Sequence, residues 1–336
     1  ATLFVLTSLM IELKPYPANG WGLDVYETAH SGIASIISVG VSAGVFFAIY
    51  KVLPLMDSYL TSIAFIGGAT FLVSNIIGLK QDNARRLLGY SSIGQMGLLT
   101  LALALLLQLD ASSQLVLVVG GLFINHLLAK AGLFWLAGVI DRSQIKDWCA
   151  IAQRPGLLLL LGTMMAALIG LPPFPGFWAK WQLVMILAEG GQYLWIAVVL
   201  TGSLLEAAYL FRWFSHARGT DDNSMGDSSK DQARSQAVVS LTQQLPAAIA
   251  TLLLFVTGYG MAVEMNIETP GMFLPLLAGF VLWLIDGIHG RLKALAMLLV
   301  VGAGGYWLTN DLEGINRLFS YLLVGGGLLV SIAAMY

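Results

Sequence analysis

Long apolar runs are the feature of this sequence that most restricts its fold. A helix that crosses the hydrocarbon core of a bilayer needs about 20 largely apolar residues, and such runs occupy most of the chain. A membrane-spanning strand needs only about 10 residues of alternating polarity. The expected fold class is therefore all-α, a polytopic bundle of about 11 transmembrane helices. The predicted spans, of which the first is partial and the sixth is interrupted, are 1–13, 30–50, 60–79, 89–108, 115–140, 157–188, 193–214, 242–262, 271–286, 294–309 and 316–335.

Charged residues are scarce, and this restricts the partners. Only 11% of the residues are charged, whereas soluble domains usually contain about 25%, so most of the surface is expected to face the lipid bilayer. The net charge of -2 gives no indication of a nucleic-acid partner. The single cysteine, Cys149, excludes a disulfide framework and an all-cysteine metal or iron–sulfur site. With no glycine-rich phosphate loop and no HExxH motif, we expect no cofactor or metal bound by this chain alone.

Basic residues alternate between loops, which predicts the orientation of the chain. The loops that contain Arg or Lys are 80–88, 141–156, 212–241 and 287–293. Loops between them, such as 109–114, contain none, and Lys51, on the predicted outer side, is the main exception. Positively charged loops remain in the cytoplasm, and the alternation holds only if 157–188 crosses once, as one broken helix. The carboxylates expected at the interface are Asp24, Asp82, Asp141 and Asp286.

The polar stretch 215–241 divides the chain. It is predicted to be a flexible cytoplasmic loop between a motif-rich ion-translocation part, residues 1–214, and a plainer group of C-terminal transmembrane helices, residues 242–336. Residues 1–13 read as the second half of an apolar helix, without the cationic start of a signal peptide. Because residue 1 is alanine, we expect the natural chain to continue upstream.

The first candidate ion site is the segment Glu12-Leu-Lys14-Pro15-Tyr16-Pro17. A charged side chain at the bilayer centre costs about 2.5–3.5 kcal/mol on insertion scales, so it persists only where it is paired, hydrated or functional. Two prolines remove two backbone donors and end the helix, and such breaks occur where they line protein or water. Two interpretations remain open. One is a hydrated charge beside a helix break, and the other is a helix end at the interface with Lys14 snorkelling to the headgroups.

His126 and Lys130 form the second candidate site. Their i, i+4 spacing puts them on one face of span 115–140. Two basic groups that close cannot both hold a charge easily in a medium of low dielectric constant, which favours a relay in which a proton moves between them. The alternative is a structural histidine with a snorkelling lysine. Lys130 lies too near the middle of the span for easy snorkelling, so we favour function.

The third candidate site is the break in span 157–188. Its residues are Pro172, Pro173, Pro175 and Gly176, followed by Lys180. Discontinuous helices at mid-membrane commonly mark an ion site, and the alternative is a re-entrant turn at the surface. The apolar run that continues after Lys180 weakens that alternative.

Glu206 is the fourth candidate, in the middle of span 193–214. A lone carboxyl group in lipid is expected to be uncharged. Glu206 could instead pair with Lys180 on the preceding helix, and the other interpretation is a protonated glutamate bonded to a neighbouring carbonyl.

These residues lie in motifs that resemble a known family, the antiporter-like subunits of respiratory complex I, shared with Mrp-type sodium/proton antiporters and membrane-bound hydrogenases. The four segments that carry the resemblance are 17–27, 81–97, 126–134 and 170–180. The most specific is Gln81-Asp-Asn-Ala-Arg-Arg-Leu-Leu-Gly-Tyr-Ser-Ser92, which resembles the family's Gln-x-Asp-x-Lys-Arg-Leu-Leu-Ala-Tyr-Ser-Ser signature. The resemblance covers roughly residues 10–214 and identifies residues 1–214 with about the seventh to thirteenth helices of the family, without the part before them.

The resemblance implies that protons move along a row of buried Lys, His and Glu side chains between two half-channels, with Lys180 as the terminal lysine. The proton-pathway candidates in this chain are Glu12, Lys14, His126, Lys130, Lys180 and Glu206. The implied partners are the other membrane-arm subunits of a multi-subunit complex, the lipid bilayer, and protons or sodium ions. Quinone, flavin and iron–sulfur centres are expected only in partner subunits. The implied location is a bacterial inner membrane or an equivalent energy-converting membrane.

The first half of the chain departs from the family pattern. The lysine of the family's seventh helix would fall at Glu12, and Lys14 replaces it only if the helix is locally re-registered. Where the eighth helix usually has a lysine or histidine, this chain has Ser38 and Ser42. The glutamate of the family's fifth helix would lie upstream of the first residue. The second half-channel is therefore expected to be equipped and the first altered, and Glu206 lies outside the family pattern.

Three functions remain as hypotheses. The first is a proton-translocating subunit of a redox-driven complex, like complex I or a membrane-bound hydrogenase, with no redox chemistry in this chain. We favour it because three costly basic groups are kept in the membrane. The second is a subunit of an Mrp-like sodium/proton antiporter, for which the change at Glu12 is a mild indication. The third is a non-conducting structural subunit of a membrane arm, which Ser38 and Ser42 suggest.

Overall fold

The computed structural model describes residues 2–219 and 240–265, and the described residues up to Met261 belong to one compact unit. The α-helices are α1 (Thr2–Glu12), α2 (Gly20–Thr28), α3 (Ser31–Ile36), α4 (Ser42–Val52), α5 (Leu60–Gly78), α6 (Ala84–Gln108), α7 (Gly121–Ile140), α8 (Pro155–Ile169), α9 (Pro175–Glu189), α10 (Tyr193–Arg218) and α11 (Leu241–Glu264). The predicted features that lie outside the described residues are Asp286 and the spans 271–286, 294–309 and 316–335.

Apolar helices dominate the described part of the chain. Six helical segments there are long and apolar enough to cross a membrane, namely Ser31–Leu55, Asp57–Gly78, Ala84–Gln108, Ser112–Ile140, Tyr193–Arg218 and Thr242–Glu264. Each contains most of one predicted span. The all-α, multi-pass membrane fold predicted from the sequence is confirmed.

The predicted interruption of 157–188 is confirmed. α8 ends at Ile169, where Gly170 adopts the left-handed conformation common after a helix, with φ 87°. α9 begins at Pro175, and each half contains 15 residues. At 1.5 Å per residue such a half is about 22 Å long, which is shorter than the roughly 30 Å of the hydrocarbon core. Neither half can therefore cross the core alone.

The predicted break near residues 12–17 is also present. α1 ends at Glu12 and α2 begins at Gly20. Lys14, between them, has a φ of 62°, so the chain turns away from the helix axis at this residue. Two further spans contain a π-helical turn, Ile37–Val41 between α3 and α4 and Val116–Gly120 before α7.

α10 is longer than predicted. The sequence placed its end at residue 214 and a loop over 215–241, but the helix continues to Arg218. His216 and Arg218 in its last turn favour the negative end of the helix dipole, and Gly219, with φ 72°, closes the helix. The polar residues 215–218 therefore form the last turn of α10 and not the start of the loop.

α6 lies at the centre of the bundle, with 94% of its apolar span buried. It packs closely on α5 through two glycines. A Cβ atom on Gly67 would lie 2.8 Å from the carbonyl oxygen of Gly97, and a Cβ atom on Gly97 would lie 2.7 Å from the carbonyl oxygen of Gly67. Small residues of this kind let helix backbones approach one another in membranes. The resulting hairpin holds residues 87–97 of the signature segment in the core.

The basic loops meet at one end of the unit. Asp82 Oδ1 lies 3.8 Å from Arg212 Nη2, and Asp141 Oδ1 lies 3.2 Å from Arg85 Nη2. The backbone joins the same loops, since the amide of Ile145 donates to the carbonyl of Asp82 at 2.8 Å. Loops 80–88 and 141–156 and the end of α10 are therefore neighbours, as the charge alternation predicts. The side chains of the expected interfacial carboxylates are exposed by 70% at Asp24, 71% at Asp82 and 84% at Asp141.

Candidate functional site

Lys180 and Glu206 form an ion pair inside the bundle. Lys180 Nζ lies 3.9 Å from Glu206 Oε2, and the two side chains are 10% and 0% exposed. The ammonium also donates hydrogen bonds of 3.1 Å to the carbonyl oxygens of Leu168 and Ile169. The last carbonyls of a helix have no partner within it. The lysine therefore satisfies the end of α8, and that end stabilises the lysine.

Polar side chains of the core surround Glu206. Ser91 Oγ donates to its carboxylate at 2.7 Å and Gln95 Nε2 donates at 2.5 Å, both from α6. The hydroxyl of Tyr209 is near the carboxylate and donates to Asn75 Oδ1 at 2.9 Å. Of the two interpretations that the sequence left open for Glu206, the geometry favours the pairing with Lys180.

Hydrogen bonds are needed because the ion pair does not balance its own burial. Two charges at the bilayer centre cost about 5–7 kcal/mol on insertion scales. Two unit charges 4 Å apart attract one another by about 4 kcal/mol at an effective dielectric constant of 20. A hydrogen bond to a charged group contributes about 1.5–3 kcal/mol, so one or two of the four bonds described above are enough to offset the remaining cost of about 1–3 kcal/mol. The stability of the site therefore depends on α6 and α8 as well as on the pair.

Lys130 on α7 is fully buried. Its ammonium donates to the carbonyl oxygen of Leu88 at 3.4 Å, and Glu206 is near enough to attract it electrostatically. One carboxylate therefore attracts two ammonium groups, those of Lys130 and Lys180. A snorkelling side chain would be exposed at its tip, so that interpretation does not hold for Lys130.

His126 lies one turn before Lys130 and is also fully buried. Its Nε2 lies 3.4 Å from the carbonyl oxygen of Ser38. A carbonyl oxygen only accepts, so Nε2 carries a hydrogen and Nδ1 of the neutral ring is an acceptor. Among the described residues, Nδ1 has no hydrogen-bond partner. Nδ1 is therefore the ring atom at which any proton would be taken up, although burial and the nearby ammonium of Lys130 disfavour the charged ring.

Lys14 lies in the break between α1 and α2 and is only 1% exposed. Its Nζ donates to the carbonyl oxygen of Glu12 at 2.9 Å. It also lies 4.9 Å from the ring centroid of Trp21 and 5.9 Å from that of Tyr26, and such a contact contributes about 2 kcal/mol when the cation is desolvated. The burial of Lys14 argues against the snorkelling interpretation. The charge lies beside the helix break, as the other interpretation states, and the contacts described for it are a carbonyl oxygen and two aromatic rings. Glu12 itself is partly exposed.

The helix-break residues lie at the two interruptions. They are Pro15 and Pro17 between α1 and α2, Pro172 and Pro173 between α8 and α9, and Pro175 and Gly176 at the start of α9. A Cβ atom on Gly176 would lie 2.6 Å from Asn125 Nδ2 and 2.8 Å from the carbonyl oxygen of Ala167. Asn125 Nδ2 donates to that carbonyl at 2.9 Å. Glycine thus allows α9 to approach α7 and the end of α8.

Ser38 and Ser42, which stand where the family usually has a base, are both buried. Ser38 Oγ lies 2.7 Å from Ser92 Oγ. Ser42 Oγ donates to the carbonyl oxygen of Ile37 at 3.1 Å. The two serines are therefore part of a hydrogen-bonded region next to His126 and not of an apolar gap.

Several polar side chains that contact the candidates were missed from the sequence. They are Tyr26, Ser91, Gln95, Asn125 and Tyr209. The i, i+4 spacing of Ser91 and Gln95 in an apolar helix could have indicated a polar face directed into the bundle. No such signal existed for Asn125, because its contact joins residues that are far apart in the chain.

Three of the candidates interact: Glu206 pairs with Lys180 and attracts Lys130. His126 lies one helical turn from Lys130, and Lys14 lies at the other helix break. Amino, imidazole and carboxylate groups all take up and release protons. Within the described residues there is no group of three or more His, Cys, Asp or Glu side chains that could hold a metal. The arrangement suits proton transfer between fixed, buried groups.

The sequence matches relatives of known name. In residues 1–206 it matches the family NADH:quinone oxidoreductase/Mrp antiporter, TM. It is 29% identical over 233 residues to NADH-quinone oxidoreductase subunit N of Desulforudis audaxviator (strain MP104C), which covers 65% of this chain and 45% of the relative. It is 28% identical over 271 residues to the subunit N of Moorella thermoacetica (strain ATCC 39073 / JCM 9320), covering 76% and 53%. The chain thus spans about half the length of these relatives.

Solved structures have the same fold. The Mrp complex from Dietzia sp. DQ12-45-1b contains a chain with a TM-score of 0.66 at 19% identity, over 78% of this chain and 57% of that one. Respiratory complex I from Thermus thermophilus contains a chain with a TM-score of 0.61 at 24% identity, over 77% and 57%. The family match covers more than half of the sequence. This chain therefore belongs to the NADH:quinone oxidoreductase/Mrp antiporter transmembrane family.

Proposed function

We propose that this chain is a proton-translocating subunit of a redox-driven membrane complex. The observation that carries the proposal is one buried carboxylate, Glu206, which pairs with the buried ammonium of Lys180 at 3.9 Å and attracts the buried ammonium of Lys130. Burying three ionisable groups in the membrane core costs free energy, and such groups are usually functional. Moving a charge among them is the use that fits their chemistry.

The proposed step follows from the charges. One carboxylate balances one ammonium group, and a second ammonium close by repels the first in a medium of low dielectric constant. A proton that reaches Lys130 therefore favours release of a proton from Lys180. The freed carbonyls of Leu168 and Ile169 hold the ammonium of Lys180 at the break between α8 and α9 until that release. The row thereby couples the arrival of a charge at one lysine to its departure from the other.

The partners are part of the same proposal. The curated relatives are named as subunits of NADH-quinone oxidoreductases, and we place this chain in the membrane arm of a comparable complex. Quinone, flavin and iron–sulfur centres would belong to other subunits. The complex would lie in a bacterial inner membrane or an equivalent energy-converting membrane.

Proton uptake by inside-out vesicles tests the proposal. In vesicles that contain the whole complex and are supplied with NADH, Lys130→Ala and Lys180→Ala are each expected to lower the protons moved per NADH oxidised by tenfold or more. The matched control is Lys146→Ala in an exposed position of a basic loop, which should leave the ratio unchanged. The amount of assembled complex is measured by native gel electrophoresis. Full proton uptake in both core variants would refute the proposal.

The same vesicles separate the proposal from sodium/proton antiport. Without NADH, an imposed sodium gradient should not move protons if the complex is redox-driven. Proton movement that depends on sodium alone, and that is lost in Lys180→Ala, would favour an Mrp-like antiporter.

A further inference from the structure

α11 packs against the break between α8 and α9. The ring of Phe255 lies on the ring of Phe174 with a centroid separation of 5.0 Å. In the next turn of α11, Gly258 meets the backbone of the break. A Cβ atom on this glycine would clash with the carbonyl oxygen of Pro173 and would lie 3.1 Å from Phe174 Cα. Glycine therefore allows a contact between the backbone of α11 and the backbone of the break.

The break needs a cover because its backbone is not helical. Residues 170–174 lie between α8 and α9, and Pro172 and Pro173 have no N–H group to donate. Backbone of this kind is tolerated at membrane depth only where it is buried in protein or lines a water-filled cavity. The carbonyl of Pro173 accepts a hydrogen bond of 3.3 Å from Trp178 Nε1, and Gly258 packs on the same oxygen. Protein thus closes the break where α11 lies on it.

Lys180 belongs to the same break. A Cβ atom on Gly170, the first residue of the non-helical segment, would lie 3.1 Å from Lys180 Cδ. The ammonium of this lysine is bonded to the carbonyls of Leu168 and Ile169, just before that segment. An opening beside Pro173 would therefore lead water toward the lysine.

α11 is also fixed to α7. Trp135 Nε1 donates to the carbonyl oxygen of Gln243 at 2.7 Å, and the side chain of Met261 occupies the space beside Gly121. These two contacts lie after and before Lys130 along α7, so α11 runs antiparallel to that helix. One helix thus braces both the segment that carries Lys130 and the second helix break.

The opposite face of α11 is apolar and exposed. Leu252, Val256 and Tyr259 are 63%, 57% and 48% exposed, whereas Leu254 and Gly258 are buried. The two sets lie on opposite sides of the helix, and exposed apolar side chains at this depth suit the hydrocarbon of the bilayer. α11 therefore separates the break from the surface of the unit.

We propose that α11 is a seal over the second helix break, with Gly258 as the residue that lets the seal close. The inference rests on the proposed function, because a seal matters only if Lys180 exchanges protons. Water that entered from the side covered by α11 would connect Lys180 to both faces of the membrane, and protons would flow back through the chain. Gly258 touches no titratable group in this account, so it is a positioning residue.

Passive proton flow tests the seal without the redox reaction. The purified whole complex is placed in liposomes that contain a pH-sensitive dye, and a pH difference is imposed without NADH. Valinomycin and potassium hold the membrane potential constant. In Gly258→Ala the added methyl group pushes α11 away from the carbonyl of Pro173, so the pH difference should decay threefold faster or more. Gly260→Ala on the same helix is the matched control, since nothing lies within 4 Å of the added atom.

Two further readouts distinguish a leak from a loss of structure. In inside-out vesicles, Gly258→Ala should lower NADH-driven proton uptake while NADH oxidation continues at its normal rate or faster, whereas a misassembled complex would lose both. Adding Lys180→Met, which keeps an unbranched side chain without a titratable group, should return the passive decay to the rate of the control. Native gel electrophoresis measures assembly.

The outcomes separate this inference from the proposed function. If Gly258→Ala leaks no faster than Gly260→Ala while Lys180→Ala still lacks NADH-driven uptake, α11 is not a seal and the proposed function stands. A leak that persists after Lys180→Met is added does not pass through the lysine and also refutes the seal. Normal uptake in Lys180→Ala would refute both proposals. If Gly258→Ala does not assemble, Phe255→Ala decides by the same outcomes, with Leu252→Ala on the exposed face as its control.

Discussion

Glu206 illustrates how single residues determine this site. Its carboxylate is fully buried, pairs with Lys180 at 3.9 Å, attracts Lys130 and accepts hydrogen bonds from two side chains of α6. Removing one member of a buried ion pair leaves an uncompensated charge, whereas replacing both members by apolar residues is often neutral. The same residue therefore has a measurable part in stability and a proposed part in transport.

A stability prediction follows for Glu206→Gln. Glutamine keeps the shape of the side chain but leaves the ammonium of Lys180 without its anion, so we expect the unfolding free energy to fall by about 3–5 kcal/mol. Adding Lys180→Met should restore most of that loss. The measurement is denaturant unfolding of the purified assembly, followed as a double-mutant cycle. Glu189→Gln, at the exposed end of α9, is the control. Additive losses in the double variant would contradict the pairing.

The sequence predicted the residues of the site better than their contacts. The cost of burying a charge pointed to Lys130, Lys180 and Glu206 without any knowledge of their neighbours. It could not show that Ser91 would donate to Glu206, because this bond joins residues 115 positions apart. Lys14 was left between two interpretations for the same reason, since its burial depends on aromatic rings that reach it only after α2 has folded back.

At the scale of elements, the two broken helices are built in the same way. At each break a lysine donates to backbone carbonyls at the end of a helix, Lys14 to Glu12 after α1 and Lys180 to Leu168 and Ile169 after α8. A cation is favoured there by the negative end of the helix dipole. The sequence showed both breaks through their prolines, but missed the π turns, which have no comparable residue signal.

The close approach at the second break yields a prediction for Gly176→Ala. The added methyl group would displace Asn125 or the carbonyl of Ala167, and overpacking of this kind costs about 1–3 kcal/mol. Because α9 then shifts with Lys180 upon it, we expect both a lower unfolding temperature and reduced NADH-driven proton uptake. Gly44→Ala is the control, since nothing lies within 4 Å of the added atom. If the two variants have the same unfolding temperature and the same proton uptake, α9 is not tightly packed against Asn125 and the carbonyl of Ala167.

In the whole molecule, the charged residues of the loops and the charged residues of the core have different effects. The basic loops gather at one end, where Arg85 and Arg212 pair with exposed carboxylates. Exposed pairs of this kind contribute only about 0–1 kcal/mol each, so they do little for stability. We expect their effect to be on insertion, because positive loops generally stay in the cytoplasm.

The orientation is testable with single cysteines. In a chain carrying Cys149→Ala, we expect Ser112→Cys, which is exposed in a loop without basic residues, to react with a membrane-impermeant maleimide in intact cells. Ser143→Cys, exposed among the basic loops, should react only after the membrane is permeabilised. The permeabilised sample is the control for reactivity at both positions. The reverse labelling pattern would show that the chain has the opposite orientation in the membrane. The contacts among the proposed proton-pathway residues would be unchanged, but the side of the membrane that each end of the proposed pathway faces would have to be reassigned.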